Sequence, residues 1–161
     1  MTGLIEISEP KSGLTVRAAL IGAKAPVNTA FLWRWLAEER VVPSIHAIWT
    51  GPEISCPIPH AQVAGEDALP PENATLTPQP GDVVLTYVPT HVWGGNPVPV
   101  FDIGLFYGPG ARMLFPIGWL AGSVVAQVVP EDRAALAEGC ARIRQTGACE
   151  ITFRRLPEAS A

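Results

Sequence analysis

Charge is scarce in this chain. Asp, Glu, Lys and Arg make up 16% of its 161 residues, and the formal net charge is −4 with no cluster of Lys or Arg. Neither a nucleic acid nor an anionic membrane surface is expected as a partner. Cysteine is scarce too. Cys56, Cys140 and Cys149 are an odd number without CxxC spacing, which argues against a disulfide framework or zinc knuckle and suits a reducing cytoplasm. The longest apolar stretch, "PIGWLAGSVVAQVV", is too short and too broken to span a bilayer. The opening "MTGLIEISEP" lacks the basic and apolar regions of a signal peptide. GxSxG, GxGxxG, GK[ST], HxH and HExxH spacings are all missing, so the usual signatures for a nucleophile elbow, a phosphate loop or a zinc site are missing with them. The expectation is a cytoplasmic protein that uses no metal and no cofactor.

What the chain has is apolar residues, at 48%, in a length that fits one domain spanning 1–161, with 155–161 as a loose tail. Strand patterns dominate. "GLIEIS" and "LTVRAALI" flank the turn-forming "EPKSG" and predict a hairpin. The period then changes: Pro26 suits a first helical position, and Val27, Phe31 and Trp35 recur every four residues, widened by Leu32 and Leu36. "SIHAIW" and "EISCPI" read as strands joined by Thr-Gly-Pro. A proline-rich loop from Pro57 to Gly81 follows, with "NATLT" as a short edge strand. "DVVLTYV" alternates, with Val83, Leu85 and Tyr87 on one face and Val84, Thr86 and Val88 on the other. "VPVFDIGLFYG" and "AGSVVAQVV" are further strands, and Gly104 in the first suggests a bend or bulge. Pro130, Glu131 and Asp132 open a second helix with Leu136, Cys140 and Ile143 as its apolar stripe and Gly147 as its stop. "CEITFRR" closes the series as a strand. Eight or nine short strands with two helices set between them fit neither a sandwich nor a doubly wound sheet. They fit a mainly β fold, a closed barrel of about eight strands capped by two α-helices, since closure removes edges that so many strands would expose.

The order of elements resembles the opening of cyclophilins, where a strand pair leads through a Lys-X-Pro segment, here Lys24-Ala25-Pro26, into a helix. "ENATLTPQPGDVVLTY", "IGLFYGPGARM" and "WLAGSVVAQV" together resemble a bacterial family of small cyclophilin-like proteins, domain of unknown function 3830, over Leu4 to Arg154. The resemblance implies a cyclophilin-like barrel. It also carries a departure: where isomerase cyclophilins have Phe-His-Arg, the nearest equivalent here is Ile45-His46-Ala47. Alanine cannot polarise a prolyl amide, so peptidyl-prolyl isomerase activity is the least favoured reading.

Candidate site residues come from three stretches. In "HAIWTGPE", His46 is a titratable group suited to acid–base work, Trp49 a pocket wall and Glu53 a carboxylate beside the turn. Strand geometry sets His46 and Trp49 on opposite faces unless a bulge intervenes. In "ENAT", Glu72 and Asn73 either line a pocket or simply cap a turn. In the third group Tyr87, Tyr107 and Arg112 offer phenols and a guanidinium near "YGPGAR". The assignment is His46, Glu72 and Arg112 as catalytic, with Trp49, Glu53, Asn73, Tyr87 and Tyr107 binding substrate at the barrel mouth. The expected ligand is a small polar metabolite, and the reaction, if there is one, a metal-independent hydrolysis of C–N bonds in small amides or N-heterocycles. The alternative is a non-catalytic oligomeric scaffold. Five tryptophans and the low charge favour a homo-oligomer in either case.

Overall fold

A computed structural model describes residues 3–157. The strands are β1 Leu4–Glu9, β2 Leu14–Leu20, β3 Arg40–His46, β4 Glu53–Pro57, β5 Ala74–Thr75, β6 Asp82–Val88, β7 Val100–Phe106, β8 Leu114–Phe115, β9 Gly118–Trp119, β10 Gly122–Val128 and β11 Cys149–Arg155. The helices are α1 Pro26–Trp35, α2 His60–Val63 and α3 Arg133–Thr146, the last entered through a 3-10 turn at Pro130–Asp132. Eight strands run antiparallel in the order β2-β1-β11-β3-β4-β7-β6-β10, and β10 pairs back onto β2 to close the barrel. The two-residue β5 adds to the start of β10. The expected barrel of about eight strands is present. The two expected helices are α1 and α3, and the four-residue α2 is an addition within the proline-rich segment.

The barrel interior is filled by side chains from its wall strands, among them Ile7, Val16, Phe153, Val42, Ile54, Ile103, Leu85 and Val125. Side chains drawn from every side can meet only inside, so the alternate residues of each strand face outward. Helix α1 closes the end where Phe31 stacks on Phe101 at 5.2 Å. Helix α3 seals part of the wall and the other end, with Leu136, Cys140 and Ile143 buried as the spacing predicts and Gly147 at φ 93° ending it.

Four local readings change. Val27 is half exposed, and the buried residues of α1 are Asn28, Thr29, Phe31, Leu32 and Trp35. Strand β3 begins at Arg40 and ends at His46, so residues 47–52 form a loop and Trp49 stands outside the strand. Gly104 sits in unbroken register between Ser55 and Val84, while the bulge lies in β10 between Val124 and Ala126. Arg155 completes β11 and Leu156 N–H bonds Leu4 O at 2.8 Å, so the expected tail at 155–161 begins as ordered chain; residues 158–161 lie outside the described residues.

Candidate functional site

The site begins with the β3–β4 loop, residues 47–52. Ala47 N–H bonds Glu53 O at 2.9 Å and Glu53 N–H bonds Gly51 O at 2.8 Å, a tight reversal that requires the positive φ of 97° at Gly51. Tyr107 N–H to Pro52 O and Arg112 N–H to Thr50 O, each 3.0 Å, pin the loop to neighbouring chain. Trp49 then leans on Trp93, with centroids 5.8 Å apart, and Trp93 meets Phe115 edge-on at 5.0 Å. The loop bearing Trp93 is shaped by Asn96. Its side chain accepts Trp93 N–H at 2.8 Å and donates to Pro89 O at 3.0 Å and Val98 O at 2.7 Å.

These aromatics wall a cavity of about 260 Å³ on the outer face of β4, β7 and β6. The sequence suggested a pocket at the barrel mouth; this cavity lies on the outer wall instead. Its floor is polar. Glu53 and Ser55 of β4, Asp102 of β7 and Thr86 of β6 all point outward here, because Asp102 stands between Pro57 and Thr86 in register. Glu53 is 4% exposed. It accepts a short hydrogen bond from the Thr50 hydroxyl. Its carboxyl lies over Gly104, where any Cβ would come within 3.1 Å of Glu53 Cδ. The Ser55 hydroxyl lies 3.1 and 3.0 Å from the two oxygens of Asp102.

Burial shifts both carboxyls upward. Glu53 is pushed to about 8, first by loss of water and then by the charge of Asp102, with the Thr50 hydroxyl pulling back. Asp102 is pushed to about 6 by burial, against hydrogen bonds from Ser55 and from Cys56 N–H. Between these values the pair holds one proton, which makes it an acid and a base in one cavity near neutral pH.

The residues chosen from sequence scatter around this centre. Trp49 and Glu53 line the cavity. His46 borders it, but its ring turns to Tyr107. Nδ1 lies 2.9 Å from Ala47 O and Nε2 lies 2.8 Å from the Tyr107 hydroxyl. A carbonyl oxygen only accepts, so Nδ1 donates to Ala47 O, while the Tyr107 hydroxyl can meet Nε2 as donor or acceptor. That pair belongs to the α3 end of the barrel, where burial raises Tyr107 and Arg144 opposes the shift.

Glu72 lies elsewhere. Its carboxylate accepts Val27 N–H at 3.2 Å and both Asn28 N–H and Asn28 Nδ2 at 2.9 Å. It supplies the cap that Ala25 cannot give α1. Burial pushes Glu72 up, yet the Asn28 and Val27 donors outweigh it and hold its pKa below the usual range. Asn73, at φ 46°, bonds Val124 O. Tyr87 faces the opposite side of β6 from Thr86 and lines a different cavity. Arg112 is exposed and holds Thr50 through its backbone. The trio His46, Glu72 and Arg112 shares no cavity among the described residues.

Sequence reasoning missed Asp102, Ser55, Thr50 and Thr86. One signal was available: Asp102 and Gly104 share a face of an otherwise apolar strand, as Glu53 and Ser55 do in theirs. A lone carboxylate in a doubly apolar strand needs a reason. Among the described residues no three His, Cys, Asp or Glu side chains gather as a metal site, and no helix is long and apolar enough to cross a membrane.

The model of a family described as proteins of unknown function, DUF3830, matches residues 7–155, and the chain belongs to that family. A solved structure, that of McbB in complex with tryptophan, shares the barrel: it covers 98% of this chain with a TM-score of 0.67 at 24% identity. This chain spans 46% of the length of that one. At such identity the likeness is one of fold. Among curated proteins none matches.

Proposed function

We propose that this DUF3830 protein binds a small, flat, nitrogen-bearing molecule in the outer-wall cavity and moves protons on it with Glu53 and Asp102. One observation carries the reading: two carboxyls, buried Glu53 and half-buried Asp102, both raised toward neutrality by loss of water, lie at the floor of an aromatic-walled cavity. The volume of about 260 Å³ suits a ligand at the small end of the usual range. Trp49, Trp93 and Phe115 suit a planar ring, and the tryptophan held by McbB is a molecule of this kind.

Applied to a small amide or N-heterocycle, the pair supports hydrolysis of a C–N bond. Ionised Asp102 takes a proton from water, whose oxygen adds to the carbonyl carbon. Protonated Glu53 gives its proton to the departing nitrogen, the C–N bond breaks, and an acid and an amine leave. Ser55 aims Asp102 and Thr50 aims Glu53. His46 acts at one remove, holding the loop that carries Thr50 through Tyr107 and Ala47 O.

The test is a thermal-shift series with tryptamine, indole-3-acetamide and hydantoin on the wild type, Glu53→Gln and Asp102→Asn. A ligand at a hundred times its dissociation constant stabilises the fold by about 2.7 kcal/mol. That shift should shrink in both variants. No shift with any of the three, or shifts untouched by both substitutions, would overturn the reading.

A second reading has its own observation. Ile48 is 74% exposed beside the cavity, and Trp119 is 57% exposed on the β8–β9 hairpin that carries Phe115. Such exposed apolar groups suit a scaffold that self-associates. Sedimentation showing a dimer that Ile48→Lys dissociates, with no ligand response in either form, would favour it.

A further inference from the structure

Strand β6 separates two cavities. Thr86 and Val88 face the outer-wall site, while Leu85 and Tyr87 face a cavity of about 410 Å³ at the α1 end of the barrel. Three polar side chains from three elements enter this second space: Asn28 of α1, Tyr87 of β6 and Ser123 of β10. Asn28 is 1% exposed and Ser123 4%, so their hydrogen-bonding groups should be accounted for.

The accounting leaves capacity unspent. The Asn28 amide nitrogen gives its two protons to Pro70 O and Glu72 Oε2, each at 2.9 Å. Both partners are acceptors, which fixes the amide's orientation and, among the described residues, leaves Oδ1 without a donor. Ser123 Oγ accepts Glu72 N–H at 3.1 Å, and among the described residues its own proton meets no acceptor. The Tyr87 hydroxyl likewise meets no partner there. None of these atoms is among the sealed polar atoms without a partner, which are Trp35 Nε1, Gln62 Oε1 and Arg155 Nε. All three residues line the cavity.

We infer that the α1 end of the barrel is a second binding site, for a neutral amide or lactam. Asn28 Oδ1 takes the ligand N–H, and the Tyr87 and Ser123 hydroxyls give their protons to its carbonyl oxygen. Leu69, Leu85 and Leu120 enclose the apolar remainder. A charged ligand does not fit. The lining holds no cationic or anionic side chain, and the nearby Glu72 carboxylate is occupied by the N-terminus of α1. The two cavities thus differ in kind. One offers two carboxyls, and the other offers one acceptor and two hydroxyl donors.

The test is a nitrogen-15 NMR titration of the full chain with 2-pyrrolidinone, and with N-methyl-2-pyrrolidinone as the control lacking an N–H. The expected result is movement of the Asn28 side-chain amide and of the Glu72 backbone N–H, with the Trp93 indole N–H unmoved. The methylated lactam should bind about tenfold more weakly, the loss of one buried hydrogen bond. Tyr87→Phe, which keeps the ring on Phe101, should weaken the lactam severalfold; Ser123→Ala is the second variant. The site is refuted if Asn28 and Glu72 stay still at tens of millimolar lactam. It is also refuted if both lactams bind equally or if both variants bind as the wild type does. Movement at Trp93 alone would place the lactam in the outer-wall cavity, overturning this site while leaving the proposed function standing.

Discussion

Replacing Glu53 by glutamine separates the charge of the buried carboxyl from its shape. Burial, joined by the charge of Asp102, raises Glu53 from an ordinary 4.5 to about 8. Between those values the folded chain keeps a proton that the unfolded chain has released. Stability therefore falls as pH rises through this window, by at most about 1.4 kcal/mol per pH unit, and levels off above the folded value. From pH 5 to pH 8 the loss assignable to Glu53 is bounded at about 4 kcal/mol. Glutamine has nearly the same volume and still accepts from the Thr50 hydroxyl, but it does not titrate. Urea unfolding of both chains at pH 5, 6.5 and 8 is the assay. At the acid end the two should agree within about 1 kcal/mol, since both side chains are neutral in the folded chain and pH 5 lies only just inside the window. At the basic end Glu53→Gln should be the more stable by several kcal/mol. Asp102, raised to about 6, adds its own decline to both chains, and every other titrating group is common to both. Parallel stability–pH profiles would refute the claim that Glu53 is buried with a retained proton.

Other substitutions probe the surroundings. A methyl group on Gly104 would lie 2.8 Å from Phe106 Cε2 and 3.1 Å from Glu53 Cδ, so Gly104→Ala should cost about 1–3 kcal/mol and displace Glu53; urea unfolding together with ligand titration checks both. Asn96→Ala removes three hydrogen bonds from the loop bearing Trp93; a fluorescence red shift and a stability loss of about 1–2 kcal/mol are expected. Glu72→Ala uncaps α1 and should cost about 1 kcal/mol, most of it absent at acid pH because the lowered Glu72 stabilises only while ionised, and ligand response at the outer-wall cavity should be unchanged. Arg112→Ala, which leaves the backbone bond to Thr50 intact, should change neither stability nor ligand response measurably.

The parts of the fold that announce themselves in sequence are those with a sustained period. Strand β6 runs Asp82–Val88 and β11 runs Cys149–Arg155, as their alternation predicts. The stripe Leu136, Cys140 and Ile143 faces inward for the same reason. Elements of two to four residues have no period to read, which is why α2 and the β8–β9 hairpin were invisible; β5, equally short, showed only through the strand-prone residues of "NATLT". The cap of α1 was invisible for a different reason: Ala25 gives no local signal, and Glu72 arrives from 45 residues away. The same holds for the site. Trp49 and Glu53 stand in one short stretch that drew attention, but Asp102 meets Glu53 only through the register that sets Ser55 against Gly104. No reading of either strand alone contains that register.

That register also explains why the proposed site lies on the outside of the barrel. Interior positions of β4, β7 and β6 are filled by Ile54, Cys56, Ile103, Leu105, Val83 and Leu85 through the middle of the barrel, which leaves interior space only at the α1 end. Outward positions on most wall strands meet water, where a carboxyl keeps its ordinary pKa. On β4, β7 and β6 they are roofed by the loops at 47–52 and 89–99 and by the hairpin carrying Phe115. The same three strands are thus covered on both faces, with Ser55 and Asp102 half-buried beneath the roof. An acid placed on the roofed face loses its water without losing access to a ligand, and its pKa rises into the neutral range. A strand buried on both sides but carrying one carboxylate is therefore a mark of where such a barrel can do work. Asp102, in a strand that otherwise reads as core, is that mark here.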